Sequence, residues 1–209
     1  MVRYSMAFLQ NFGRSVAALF VVTTVGAFGF AGPARADLDV AAPSPAQARQ
    51  LQSWYDQHMP ARFRAHSKLT VRELSDQDMD AYLKADQDPS DNSFQTSSGD
   101  DNSEIDGVFE GDPDRIALRL PTAGSLDMFT FAHEYGHYVW FHLMSRDDHK
   151  RYEGIYNRQR AAHHLVTRYA STDVEEGFAE AFSFYANAAP MLERRDPLSF
   201  QFFNQWNDR

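Results

Sequence analysis

Between Met128 and Phe141 the chain reads Met-Phe-Thr-Phe-Ala-His-Glu-Tyr-Gly-His-Tyr-Val-Trp-Phe, an apolar run that the sequence predicts to be a helix. A second apolar helix is predicted from the segment Tyr169–Phe182, with three glutamates, Glu175, Glu176 and Glu180, set among its apolar residues. Upstream, Ser44–His58 has the periodicity of an amphipathic helix after the proline-rich stretch 41–45. Leu69–Leu74 is expected to be a strand, and Ser75-Asp76-Gln77-Asp78 has the form of a capping box, with Asp in place of Glu, opening a short helix to about Ala85. Ile105–Phe109 and Arg115–Leu120 read as two strands of a hairpin about the turn-rich residues 110–114. The second alternates Arg115, Ala117 and Arg119 with Ile116, Leu118 and Leu120, as expected of a sheet packed against a helix on one side only. Asp147–Tyr169 is expected to be helical and mostly polar, and Asp196-Pro197 has the N-cap and first-position proline of a final helix. The sum is an α+β fold with a small mixed sheet and no internal repeat.

Two stretches fall outside this pattern. In residues 1–36, Arg3 and Arg14 precede the apolar segment Val16–Phe30, and Ala34-Arg35-Ala36 supplies the small-x-small signature of signal peptidase. The expectation is a bacterial export signal cleaved before Asp37, leaving a secreted or periplasmic domain over 37–209, because 15 apolar residues interrupted by Thr23 and Thr24 fall short of the roughly 20 needed to span a bilayer. Within that domain, 37–104 forms an N-terminal helical part with an acidic loop, and 105–209 a catalytic core. The loop, Asp86–Glu104, is rich in Ser, Asn and Gln, and its acids lack the central Gly and terminal Glu of a calcium-binding EF-hand. Lying just before the hairpin, it is placed to act as a lid.

Composition narrows the partners. Removing residues 1–36 takes away Arg3, Arg14 and Arg35 and no acid, so 20 basic residues become 17 against 29 acidic ones, a net charge of −12. That balance argues against nucleic acid and against stable membrane association after signal cleavage. There is no cysteine, so a chain bound for an oxidising compartment does without disulfides.

The chemistry is concentrated in His133-Glu134-Tyr135-Gly136-His137, an HExxH pattern on the first apolar helix. Histidines four apart lie on one helical face, where both imidazoles can hold one zinc ion, and Glu134 beside the first reaches the water rather than the metal. A catalytic zinc normally takes three protein ligands and leaves one position open. The extended pattern HExxHxxGxxH fails, because Trp140 and Leu143 stand where Gly and His are required. His142 points to a different helical face from His137, and His163 and His164 are expected on the surface. A downstream carboxylate is the better third ligand. Glu176 and Glu180 share a face one turn apart, so that with Glu176 on zinc, Glu180 is placed to accept a hydrogen bond from the non-ligating nitrogen of a zinc histidine. Glu175 points about 100° away around the helix.

These residues, with Tyr169 seven positions before Glu176, resemble the catalytic domain of anthrax lethal factor and the secreted Pro-Pro endopeptidases. The resemblance covers about residues 105–209 and includes the final stretch 197–204. It implies a single-domain zincin-like metallopeptidase with an active-site helix, in which His133, His137 and Glu176 bind Zn2+, Glu134 is the general base and Tyr169 contacts the reacting oxygen. One departure is Gly177, where the family commonly carries a bulky aromatic. In zinc peptidases of this shape an edge strand beside the active helix pairs with the extended substrate, and either hairpin strand is a candidate. A peptide or protein substrate is therefore expected. Two other readings remain open on the letters: an inactive zinc scaffold that binds peptides, which would have no need of Glu134, and a zinc hydrolase of a non-peptide amide.

Overall fold

A five-stranded mixed sheet carries one large helical layer on one face and a single short helix on the other. The computed structural model describes residues 3–7, 38–42, 44–65, 68–85, 105–111, 114–120 and 127–208. The loop expected over 86–104 and the apolar segment 16–30 lie outside them. Among the described residues no helix is long and apolar enough to cross a membrane.

The strands are β1 (Arg3–Ala7), β2 (Leu38–Ala41), β3 (Leu69–Leu74), β4 (Ile105–Gly111) and β5 (Asp114–Arg119), in the spatial order β1-β4-β5-β3-β2. β2, β3 and β5 run parallel, while β4 is antiparallel to β5, with Val108 opposite Ala117, and β1 is antiparallel to β4, with Met6 opposite Gly107. Two of these strands, β1 and β2, were not expected from the sequence, and β1 comes from the segment expected to be a leader.

The expectation that the sheet packs on one side only is corrected. The face bearing Leu69, Val71, Ile116 and Leu118 meets the main core. The opposite face is also covered: α2 (Asp76–Ala85) lays Met79 and Leu83 on Val108 and Ala117, all four buried. The alternating arginines mislead because they flank this second core: Arg119 is bound to Asp80 at 2.8 Å and Asp76 at 3.4 Å along α2. Small Ala117 between them leaves room for the helix.

α1 (Pro45–His58) starts as its sequence implies, with the Ser44 hydroxyl accepting from the Gln47 amide and proline in the first turn. It buries Leu51 and Tyr55. α3 (Met128–Tyr138) is capped by the Asp127 carboxylate, which accepts from the Phe129 amide at 2.9 Å. It is buried from Thr130 to Tyr138, as an all-round apolar helix must be, and it runs on into a π-helical turn over Val139–Leu143.

α4 (Arg146–Ala161) ends earlier than the helix expected to reach Tyr169. At His163 the backbone turns to φ 55°, and the amides of Ala162, His163 and His164 close back on the carbonyls of Arg158, Arg160 and Gln159. α5 (Val174–Arg195) follows, broken by non-helical angles at Ala188 just before Pro190, then α6 (Pro197–Asn207), N-capped by Asp196. An aromatic cluster seats α6 on this layer, with Phe63 edge-on to Trp206 at 4.9 Å and to Phe182 at 5.5 Å. The molecule is thus a single α+β domain with α3 and α5 packed at its centre.

Candidate metal centre

α3 and α5 bring His133, His137 and Glu176 together in the buried core. The two helices touch where side chains are smallest: a Cβ added to Gly136 would lie 2.8 Å from the Cα of Ala179. That approach places His133 Nε2 at 3.1 Å from Glu176 Oε2 and 3.2 Å from His137 Nε2, with 3.7 Å between His137 Nε2 and Glu176 Oε2. Bonds of about 2.0 to 2.2 Å at tetrahedral angles require donor atoms about 3.3 to 3.5 Å apart, so this triangle has the size of one metal coordination face. His133, His137 and Glu176 could hold a metal ion.

The local sequence explains why these side chains are held. The Asp173 carboxylate caps α5 by accepting from the amides of Glu175 and Glu176, both at 2.9 Å, and the acidic first turn suits the positive end of the helix. Glu180, one turn on, lies 3.1 Å from His133 Nδ1. Both nitrogens of His133 therefore face carboxylates. Burial opposes a charge on this imidazole, but the hydrogen bonds of Glu176 and Glu180 and the charge of Glu134 outweigh it and raise its pKa to about 10. Burial likewise opposes charge on Glu176, yet the two imidazoles bring it down to about 2. A positive charge is what this group of acids demands at its centre.

Glu134 differs from the other acids. It has no exposed surface, and neither carboxylate oxygen makes a hydrogen bond of ordinary geometry. Burial first, then the charge of Glu176, pushes its pKa up to about 8, only partly offset by His133 and the Phe109 backbone. It faces β4 at Gly107, where an added Cβ would stand 2.8 Å from Glu134 Cγ and 2.7 Å from Thr130 Cγ2. A glycine inside a strand is the sequence signal for such a close approach, although the sequence alone did not single it out.

Tyr169 lies on a 3-10 turn, Tyr169–Ser171, just before α5. Its ring centroid is 5.8 Å from that of His133, and its hydroxyl bonds to Glu176. Burial, then the charges of Glu176 and Glu134, raises its pKa, so the phenol keeps its proton. His142, by contrast, turns to Asp114 on β5 at 2.9 Å, away from the cluster, and His163 and His164 are exposed.

The glycine at 177 finds its explanation in α4. A Cβ there would come 2.6 Å from the ring of Tyr156 and 2.9 Å from the carbonyl oxygen of Ala170. Tyr156 thus fills the volume beside Glu176. The same turn is tied down by Tyr152, whose hydroxyl donates to the Gly177 carbonyl at 3.0 Å and is linked through Ser199 to Asp196. Glu73 on β3 was also missed: it is 4% exposed, without a hydrogen-bond partner, and burial raises its pKa to about 7. Its signal was an acid at the third place in the inward-facing series Leu69, Val71, Glu73.

In fold, the chain is similar to the solved Pro-Pro endopeptidase PPEP-2 from Paenibacillus alvei, with a TM-score of 0.51 and 18% identity over 79% of this chain and 96% of that one. No family model matches the sequence, and no curated protein does. The likeness is one of fold: an α+β domain with a mixed sheet and a helical layer. Its helix pair carries the donor set described above.

Proposed function

We propose that this chain is a secreted, zinc-dependent endopeptidase. The observation that carries the reading is the buried His133–His137–Glu176 triangle with an unpartnered carboxylate, Glu134, beside it on the same helix. Two imidazoles and one carboxylate are a donor set typical of catalytic zinc, and the fold is that of a protein named as a Pro-Pro endopeptidase. When bound, zinc would polarise a substrate carbonyl and lower the pKa of a water towards about 7.

The residues of the chain supply the rest. Glu134 accepts the water's proton during attack and delivers it to the departing amine, acting as base and then acid. Tyr169, protonated and beside Glu176, donates to the oxygen on which negative charge develops. Glu180 fixes the ring of His133 from behind. β5 is enclosed between β4 and β3, whereas beyond β4 lies only Arg3–Ala7 of the expected leader, so of the two hairpin strands β4 is the one whose edge would receive an extended peptide, next to Glu134, once that leader is gone. The net negative charge disfavours nucleic acid as a partner, and the leader sequence supports export.

The test is cleavage of a diverse peptide library by residues 37–209 together with elemental analysis, in parallel with Glu134→Ala. The expected result is one zinc per chain in both and cleavage by the wild type alone. Zinc binding without cleavage in either would overturn the peptidase reading in favour of a binding scaffold or a non-peptide amide.

A further inference from the structure

The outer edge of β4 is not open in this structure. Arg3–Ala7 pairs along it antiparallel, from Arg3 opposite Glu110 to Met6 opposite Gly107, and β1 also lies against α3. Gly107 is the residue that abuts Glu134. The chain's own N-terminal segment therefore runs through the position that an extended ligand of the β4 edge would take. In keeping with this, His133, Glu134 and His137 have no exposed surface.

We propose that Arg3–Ala7 is a built-in occupant of the β4 edge, which keeps extended peptides out of the site until residues 1–36 are removed. This rests on the reading of β4 as the strand that receives substrate. The segment is suited to the role: it contains no proline, so no backbone donor is missing from the ladder. Its pairing is irregular at one point, between Met6 and Ala7, where the partner shifts from Gly107 to Ile105. The extra residue is Asp106 of β4, next to the Gly107 that abuts Glu134, so the ladder that holds the occupant is interrupted beside the candidate base. Covalent attachment gives the segment an effective concentration on the order of millimolar, so even weak pairing competes with free peptides. A precursor closed in this way would reach the export machinery without acting on neighbouring proteins.

The test compares the full chain 1–209, the same chain carrying Tyr4→Pro and Ser5→Pro, and residues 37–209, which retain every buried core residue described. Amide exchange across Val108–Glu110 reports the pairing, and initial rates on a cleaved library peptide report access. Expected are faster exchange and at least a tenfold higher rate in the proline variant and in 37–209. Adding a synthetic peptide of residues 1–10 to 37–209 should restore protection of β4. Equal exchange in all forms, or equal rates despite different exchange, overturns the proposal. Should no form cleave any peptide while exchange differs and the peptide restores protection, the occupancy stands and the peptidase reading falls.

Discussion

Five glutamates are buried among the described residues; Glu110 pairs with Tyr82 and Arg115 on the α2 face of the sheet, and the other four divide by the partners each one meets. Glu176 and Glu180, on α5, face the imidazoles of α3. Glu134 lies between α3 and β4 and Glu73 on the inward face of β3, and neither carboxylate makes a hydrogen bond of ordinary geometry. Burial is similar in all four, between 0 and 5% exposed. Yet Glu176 is driven down to about 2, while Glu134 and Glu73 are driven up to about 8 and about 7. Partners, not depth, decide the charge. Glu176 is held anionic, as a cation site needs, while burial favours the protonated carboxyl at Glu134 and Glu73. Acids pushed apart in this way are how a site assigns separate roles to one residue type.

Substitutions can break this division one member at a time. Glu134→Gln keeps shape and removes the proton carrier, so peptide hydrolysis should fall about 10²- to 10⁴-fold with zinc content unchanged, as measured by steady-state kinetics and elemental analysis. Loss of zinc in that variant would mean the residue belongs with the α5 acids after all. Next in size, Tyr169→Phe removes one donor and should raise the barrier by about 2.7 to 4 kcal/mol, seen in kcat rather than in metal affinity. Glu180→Gln weakens the support of His133 and should cost about 10- to 100-fold in zinc affinity, read by competition with a chelator.

The smallest expected effect tests the other side of the comparison. Because the pKa of Glu73 is raised from 4.5 to about 7, the folded state binds more protons than the unfolded state between those values, so stability falls as pH rises through that window. Glu73→Gln should match the wild type below pH 4.5 and exceed it by on the order of 2 kcal/mol above pH 7 in denaturant titrations. A variant that tracks the wild type at both pH values would show that Glu73 has a partner.

Local spacing carried most of the site. His133 and His137, or Glu176 and Glu180, are neighbours simply because residues four apart share a helical face, and capping at Asp127, Asp173 and Asp196 follows from residue type. What the letters concealed depends on contacts distant in sequence. β2 is only four residues, Leu38-Asp39-Val40-Ala41, too short to announce itself, and it is held by lying parallel to β3. The second core under Ala117 needs α2, which is supplied from more than thirty positions upstream. The end of α4 at His163 has no glycine to announce it. The role of Gly177 could not be read from its own neighbourhood, since the ring it accommodates comes from α4.

That last contact has a consequence for how such a chain can change over generations. Positions 156 and 177 share one volume, so an aromatic residue at 177 is admissible only after Tyr156 has been reduced, and the reverse order passes through an overcrowded intermediate beside Glu176. Reducing Tyr156 is necessary but not sufficient: the Ala170 carbonyl oxygen, 2.9 Å from the same added Cβ, must give way as well, so bulk at 177 requires the turn before α5 to be rebuilt together with α4.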